Sequence, residues 1–81
     1  MLADIIEVKV LGNYKLALRF EDGTAGQVDI TKVVPFKGIF AKLKDEKYFS
    51  TVSVDVETGT ICWSNGADLS PCVLYSQVIK K

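Results

Sequence analysis

The first thirty positions alternate between apolar and polar side chains with a period of two. Ile6, Val8 and Val10 share one face, with Glu7 and Lys9 on the other. Tyr14, Leu16, Leu18 and Phe20 form a second such row, opposed by Lys15, Arg19 and Glu21. This alternation belongs to half-buried strands. Directly paired residues lie on the same face of a sheet, so parity selects the turns. A two-residue loop at Gly12-Asn13 sets Lys9 opposite Leu16 and mixes charge into the core. A three-residue loop, Leu11-Gly12-Asn13, instead pairs Val10 with Tyr14, Val8 with Leu16 and Ile6 with Leu18. That is the expected register, with Asn13 as the left-handed residue. In "FEDGT", a loop of Glu21-Asp22-Gly23 pairs Phe20 with Thr24 and Leu16 with Val28, and Gly23 falls where a type I turn plus bulge needs positive φ. A third strand, Thr24 to Ile30, completes an antiparallel meander. Gly26 lies opposite Leu18 and leaves room for something to pack over it.

The alternation stops in "TKVVPFKGIFAKLKDEKYFS". Pro35 breaks any long helix and pushes Val34 out of the helical region. A short turn at 31–34 and a helical segment near 38–43 are expected, with Ile39, Phe40 and Leu43 in one buried stripe. Asp45 can cap a further turn that carries Tyr48 and Phe49. Alternation returns in "TVSVDVETGTICW", where Val52, Val54 and Val56 point inward. Pairing Val56 with Ile61 and Val54 with Trp63 predicts a hairpin with an even-numbered loop around Thr58-Gly59. Ser70 and Pro71 then read as N-cap and first position of a closing helix over about 71–79. Leu74 and Val78 face its core side, Tyr75 lies at its edge, and Lys80 and Lys81 suit the negative end of its dipole.

The elements add up to one α+β domain over residues 1–81: a three-stranded antiparallel meander, a short helical middle segment, a β-hairpin and a C-terminal helix. Surface scaling leaves roughly 63% of the unfolded chain's surface buried at this size, enough for one modest core. A shallow surface site or an interface is therefore expected rather than a deep cavity. Ten basic and ten acidic residues balance, which argues against sequence-independent nucleic-acid binding. The local cluster Lys32, Lys37, Lys42, Lys44 and Lys47 is the one feature that favours a nucleic-acid-associated regulator. No apolar run reaches the roughly 18–20 residues of a membrane helix, and "MLADIIEVKV" does not read as a secretory signal. A cytoplasmic protein with no membrane partner is expected. The chain has no histidine and two cysteines. Cys62 and Cys72 lack C-x-x-C spacing and read as free, partly buried thiols, so no metal site and no cofactor is expected.

The chemistry-bearing stretch is "WSNGADLSPCVLY", residues 63–75. Asn65-Gly66 favours a tight turn with positive φ. Asp68 can accept from free amides at the helix start. Trp63 can bury its ring if its indole N–H finds an acceptor. Together these make a rigid joint between strand and helix. The functional alternative sets Trp63, Asn65, Asp68 and Tyr75 side by side as a shelf for a small molecule, in a binding module or minor enzyme. A single carboxylate without a second acid, nucleophile or metal set is a poor catalyst, so no catalytic residue is assigned.

Three stretches, "VKVLGNYKLALRFEDGTAGQVDI", "GIFAKLKDEKYFSTVSVD" and "GTICWSNGADLSPCVLY", resemble a small bacterial family of unknown function whose signature runs G-T-I-x-W-x-N-G-A-D-L-x-P-x-x-L-Y. Gly59, Trp63, Asn65, Gly66, Ala67, Asp68, Pro71, Leu74 and Tyr75 match it. The chain departs at Ser64, where proline is common, and at Cys72, where an acid is common. The resemblance implies a compact α+β fold and no catalytic role. Some relatives carry a helix-turn-helix, which this sequence lacks, and others look like the antitoxin-type partner of a small toxin. The expectation is a non-catalytic protein-interaction domain, antitoxin-like, whose partner is another protein such as a small toxin or a second copy of itself. The candidate surfaces are the tail shelf and the outer meander face at Lys15, Arg19 and Gln27.

Overall fold

The computed structural model describes residues 4–79. Strands β1 (Ile5–Gly12), β2 (Lys15–Phe20) and β3 (Ala25–Asp29) form an antiparallel sheet in the order β1-β2-β3. Two 3₁₀ segments follow, Ile30–Lys32 and Gly38–Lys44, and then a single-turn helix α1 (Glu46–Phe49). Strands β4 (Ser53–Asp55) and β5 (Thr60–Cys62) make a separate hairpin, and helix α2 (Pro71–Ile79) closes the fold. This is the α+β arrangement expected from the patterning. Lys80 and Lys81 lie outside the described residues.

The second hairpin has the expected register. Leu16 pairs with Val28 and Leu18 with Gly26, the Phe20 N–H donates to the Thr24 carbonyl at 2.8 Å, and Gly23 has φ +92°. The first hairpin does not. Val10 pairs with Leu16 and Val8 with Leu18, a shift of two that keeps the parity but changes every partner. The turn residues are Asn13 and Tyr14, both at positive φ (53° and 62°), as a two-residue hairpin loop demands. A tyrosine in that region is strained, and its ring supplies the compensation. It packs edge-on against Phe36 (5.2 Å) and Phe49 (5.3 Å), and its hydroxyl donates to the Lys44 carbonyl. Tertiary burial thus draws Tyr14 out of the strand and into the turn.

Two bulges absorb the extra residues of β1. The register slips between Ile5 and Glu7 and again between Val10 and Gly12. At the first slip Ile5 enters the core and Ile6 is left 53% exposed, so Ile6 is not the inward residue that alternation predicts. Ile5 is fixed there by its N–H, which donates to the Gly59 carbonyl at 2.9 Å.

The β4–β5 hairpin is shifted by two in the same way. Val54 pairs with Ile61 and Asp55 with Thr60, leaving Val56 in the loop at 86% exposure. Asp55 ends the ladder early because it anchors the turn. Its carboxylate accepts from the Glu57 N–H at 2.9 Å, and its carbonyl accepts from Gly59 N–H at 2.8 Å. In the middle segment Leu43 is buried and Phe40 packs against the core, but Ile39 faces solvent. Asp45 does cap α1, accepting from the Lys47 N–H at 3.0 Å. Helix α2 turns Leu74 and Val78 inward as expected. Val78 packs onto Gly26 of β3, and a Cβ added at Gly26 would stand 2.8 Å from the Val78 Cγ1.

Candidate functional site

The tail segment is built outward from Trp63. Its indole is 3% exposed, lies 5.7 Å from the Phe49 ring and donates its N–H to the Phe49 carbonyl at 2.9 Å. The indole therefore joins β5 to the end of α1 and presents no face to solvent. The following loop closes on itself, with Gly66 N–H donating to Trp63 C=O at 3.1 Å and Trp63 N–H to Ala67 C=O at 2.9 Å. Gly66 has φ +92°, the conformation that glycine supplies without steric cost.

Asn65 spends its amide on the fold. Its Oδ1 accepts from the Ala67 N–H at 3.0 Å, and its Nδ2 donates to the Ile39 carbonyl at 3.0 Å. The Asn65 N–H donates to the Tyr48 hydroxyl at 2.9 Å, and that hydroxyl also lies 3.1 Å from the Ser64 Oγ. Tyr48 is thus the anchor that sequence reasoning left out of the site. Its only signal was its place on the capped turn after Asp45. Lys42 stands over its ring at 5.1 Å.

Asp68 and Tyr75 lie with other partners. The Asp68 backbone bridges to Cys62 and its side chain is exposed. Among the described residues its carboxylate accepts no hydrogen bond, so the helix-start amides expected to donate to it do not. Tyr75 packs its ring edge-on against Phe20 at 4.9 Å and donates its hydroxyl to Asp22 Oδ2 at 2.6 Å, in the β2–β3 turn. Trp63 and Asn65 thus hold the middle segment, Tyr75 holds the meander's far turn, and Asp68 faces solvent. Cys62 is half-buried and Cys72 exposed, both as free thiols. The expectation of partial burial holds for Cys62 only. Among the described residues no group of three or more Cys, Asp or Glu side chains is placed to hold a metal ion.

The family model for "Protein of unknown function (DUF2442)" matches residues 5–80, nearly the whole chain. The chain belongs to this family. No curated protein and no solved structure matches it. Among the described residues no helix is long and apolar enough to cross a membrane.

The Tyr75 hydroxyl and then the Thr24 N–H hold the Asp22 carboxyl below the usual value. A group with a lowered folded pKa adds stability above its unfolded value and loses it as pH falls through the folded one. Tyr75→Phe is expected to return Asp22 toward the ordinary carboxylate range. A carboxyl-detected NMR titration reads this directly, and an unchanged Asp22 titration overturns it. The Thr31 hydroxyl, assisted by its N–H and by Lys32 and Lys15, lowers Asp29 in the same sense.

The outer face of the meander offers a different kind of surface. Ala17 and Ala25 form the floor of an open trough of about 410 Å³, flanked by Glu7, Lys9, Arg19 and Gln27. The observed register places Glu7 opposite Arg19, a pair the sequence-based register does not make. The Arg19 Nε donates to Glu7 Oε1 at 2.9 Å and a terminal guanidinium nitrogen donates to the same oxygen. Both side chains are more than half exposed. Lys15 lies on the same face, opposite Asp29.

Proposed function

We propose that this chain is a non-catalytic protein-interaction domain of the bacterial cytoplasm, acting as the antitoxin-like partner of a small toxin. The observation that carries the reading is the outer meander face, a trough floored by alanines and rimmed by charges of both signs. Small-molecule sites enclose most of their ligand, and an open trough suits a protruding side chain of another protein better. Arg19 binds a single oxygen of Glu7 and keeps further N–H donors for a carboxylate on the partner. The neighbouring strand β1 adds Ile6 and Leu11, exposed at its bulges, as an apolar component of the kind interfaces use. The polar groups of Trp63, Asn65 and Tyr75 are engaged within the fold, which leaves the sheet face as the larger store of unspent recognition chemistry.

Co-expression with the product of the adjacent gene tests this. The expected result is co-purification of the pair and relief of that product's growth inhibition. Ala17→Arg fills the trough from its floor and is expected to weaken the complex by about thirtyfold, the scale of one interface hot spot, while circular dichroism stays unchanged. Recovery of the chain alone, with the toxicity unrelieved, overturns the proposal.

A further inference from the structure

The two edges of the meander are not equivalent. Strand β1 is interrupted by bulges at Ile6 and Leu11 and is tied at its start to the Gly59 carbonyl. Strand β3 lacks several of the devices that blunt a sheet edge. It contains no proline and no lysine, and its pairing with β2 runs without a slip from Ala25 to Asp29. Two backbone bonds fix the phase of the ladder, Phe20 N–H to Thr24 C=O at 2.8 Å and Ile30 N–H to Tyr14 C=O at 2.9 Å. In an antiparallel pair hydrogen-bonded positions alternate. Gly26 and Val28 therefore turn their N–H and C=O toward β2, whereas Ala25, Gln27 and Asp29 turn theirs away. The N–H and C=O of Ala25 and Gln27 and the N–H of Asp29 meet no backbone partner among the described residues, whereas the Asp29 carbonyl opens the 3₁₀ segment Ile30–Lys32 as its N-cap. An open polar groove of about 540 Å³ runs along this edge, lined by Lys15, Gln27, Asp29 and Lys32.

We infer that two copies of this chain pair antiparallel through β3, with Gln27 on the two-fold axis, to make one continuous sheet. Three features select a second copy as the occupant. With Gln27 opposite Gln27, the two Gln27 residues exchange N–H and C=O, and each Asp29 N–H meets an Ala25 C=O. Sliding the register by two residues in either direction loses a pair at one end. Second, the side chains fit. A primary amide is both donor and acceptor and so complements its own copy, and each Asp29 stands opposite a small neutral Ala25. Sliding the register far enough to set Asp29 against Asp29 opposes like charges, which destabilises a strand pair. Third, a two-fold strand pair uses one patch on both copies and closes, so it buries both β3 edges at once. The inference goes beyond the partner proposed for the outer face: it uses the edge of the sheet, shares Ala25 and Gln27 with the trough, and leaves the Ala17 floor open.

Sedimentation equilibrium tests it. The wild-type chain is expected at twice its 8.9 kDa mass. Gln27→Lys places two cations across the axis, Gln27→Glu places two anions, and each alone is expected to weaken the dimer by about fivefold. An equimolar mixture of the two is expected to restore pairing, as a heterodimer. Gln27→Pro removes the central outward donor without touching the β2 ladder and is expected to be monomeric with an unchanged far-UV spectrum. The charge pair decides the matter even if the proline variant misfolds. A monomeric wild type, or single-charge variants that dimerise as the wild type does, overturns the inference.

Discussion

Replacing Trp63 by alanine is expected to remove a large share of the domain's stability at 25 °C in the absence of ligands. Removing a large buried aromatic costs about 3–5 kcal/mol. A chain of this length has roughly 4–12 kcal/mol of stability in total. Trp63 carries more than its own ring, since its N–H donates to the Phe49 carbonyl at 2.9 Å, which the alanine variant leaves with the longer bond from the Val52 N–H, at 3.3 Å. Phe49 in turn supports the strained Tyr14 turn, so the loss reaches the first hairpin. Urea unfolding followed by far-UV circular dichroism measures the effect, because Trp63 is the chain's single tryptophan and its fluorescence disappears with the substitution. In the same experiment Asp68→Ala is expected within about 0.5 kcal/mol of wild type, the range of an exposed substitution. A Trp63→Ala variant within about 1 kcal/mol of wild type contradicts the account of the tail as a structural joint.

That joint was legible in the sequence as a kind of structure, but its contacts were not. Trp63 needed an acceptor for its N–H, and Asn65-Gly66 announced a turn with positive φ. Neither fact says that the acceptor is Phe49 or that Asn65 reaches the Ile39 carbonyl. Those partners lie in a segment with no periodicity to give its orientation. Local chemistry has Asp68 accept from amides at the helix start, whereas the amide of Asn65 satisfies the loop and Asp68 faces solvent.

The strand registers divide along the same line. The β2–β3 turn follows from its own residues, because Gly23 fits the bulge position and no distant group competes. In the β1–β2 and β4–β5 hairpins parity survives and the partner changes. Alternation of side chains constrains the face of a strand but is blind to a shift of two. Burial of the Tyr14 ring settles the first shift, and the turn held by Asp55 settles the second. The consequence reaches the surface, since only the observed register brings Glu7 to Arg19 and gives the outer face its charged rim.

Gly26 yields the second large effect. Gly26→Leu is expected to destabilise the domain by about 1–3 kcal/mol, the usual cost of overpacking a filled site. Even a Cβ there stands 2.8 Å from the Val78 Cγ1 and 3.7 Å from the Val78 carbonyl oxygen, so a leucine meets the helix backbone as well as the side chain. Val78 has little freedom to yield, because a β-branched residue in a helix holds one preferred rotamer. The opposing gain, a less flexible unfolded chain once glycine is replaced, is at most about 1 kcal/mol. A double-mutant cycle separates collision from propensity. Val78→Ala alone opens a cavity beneath α2 and destabilises. Combined with Gly26→Ala, the new methyl occupies part of that cavity, and the two changes are expected to couple favourably by about 1 kcal/mol, within the range for residues in contact. Urea midpoints measured at one chain concentration give all four corners. Strict additivity would show that α2 does not rest on Gly26, and the packing that closes the inner face of the meander would then need another origin.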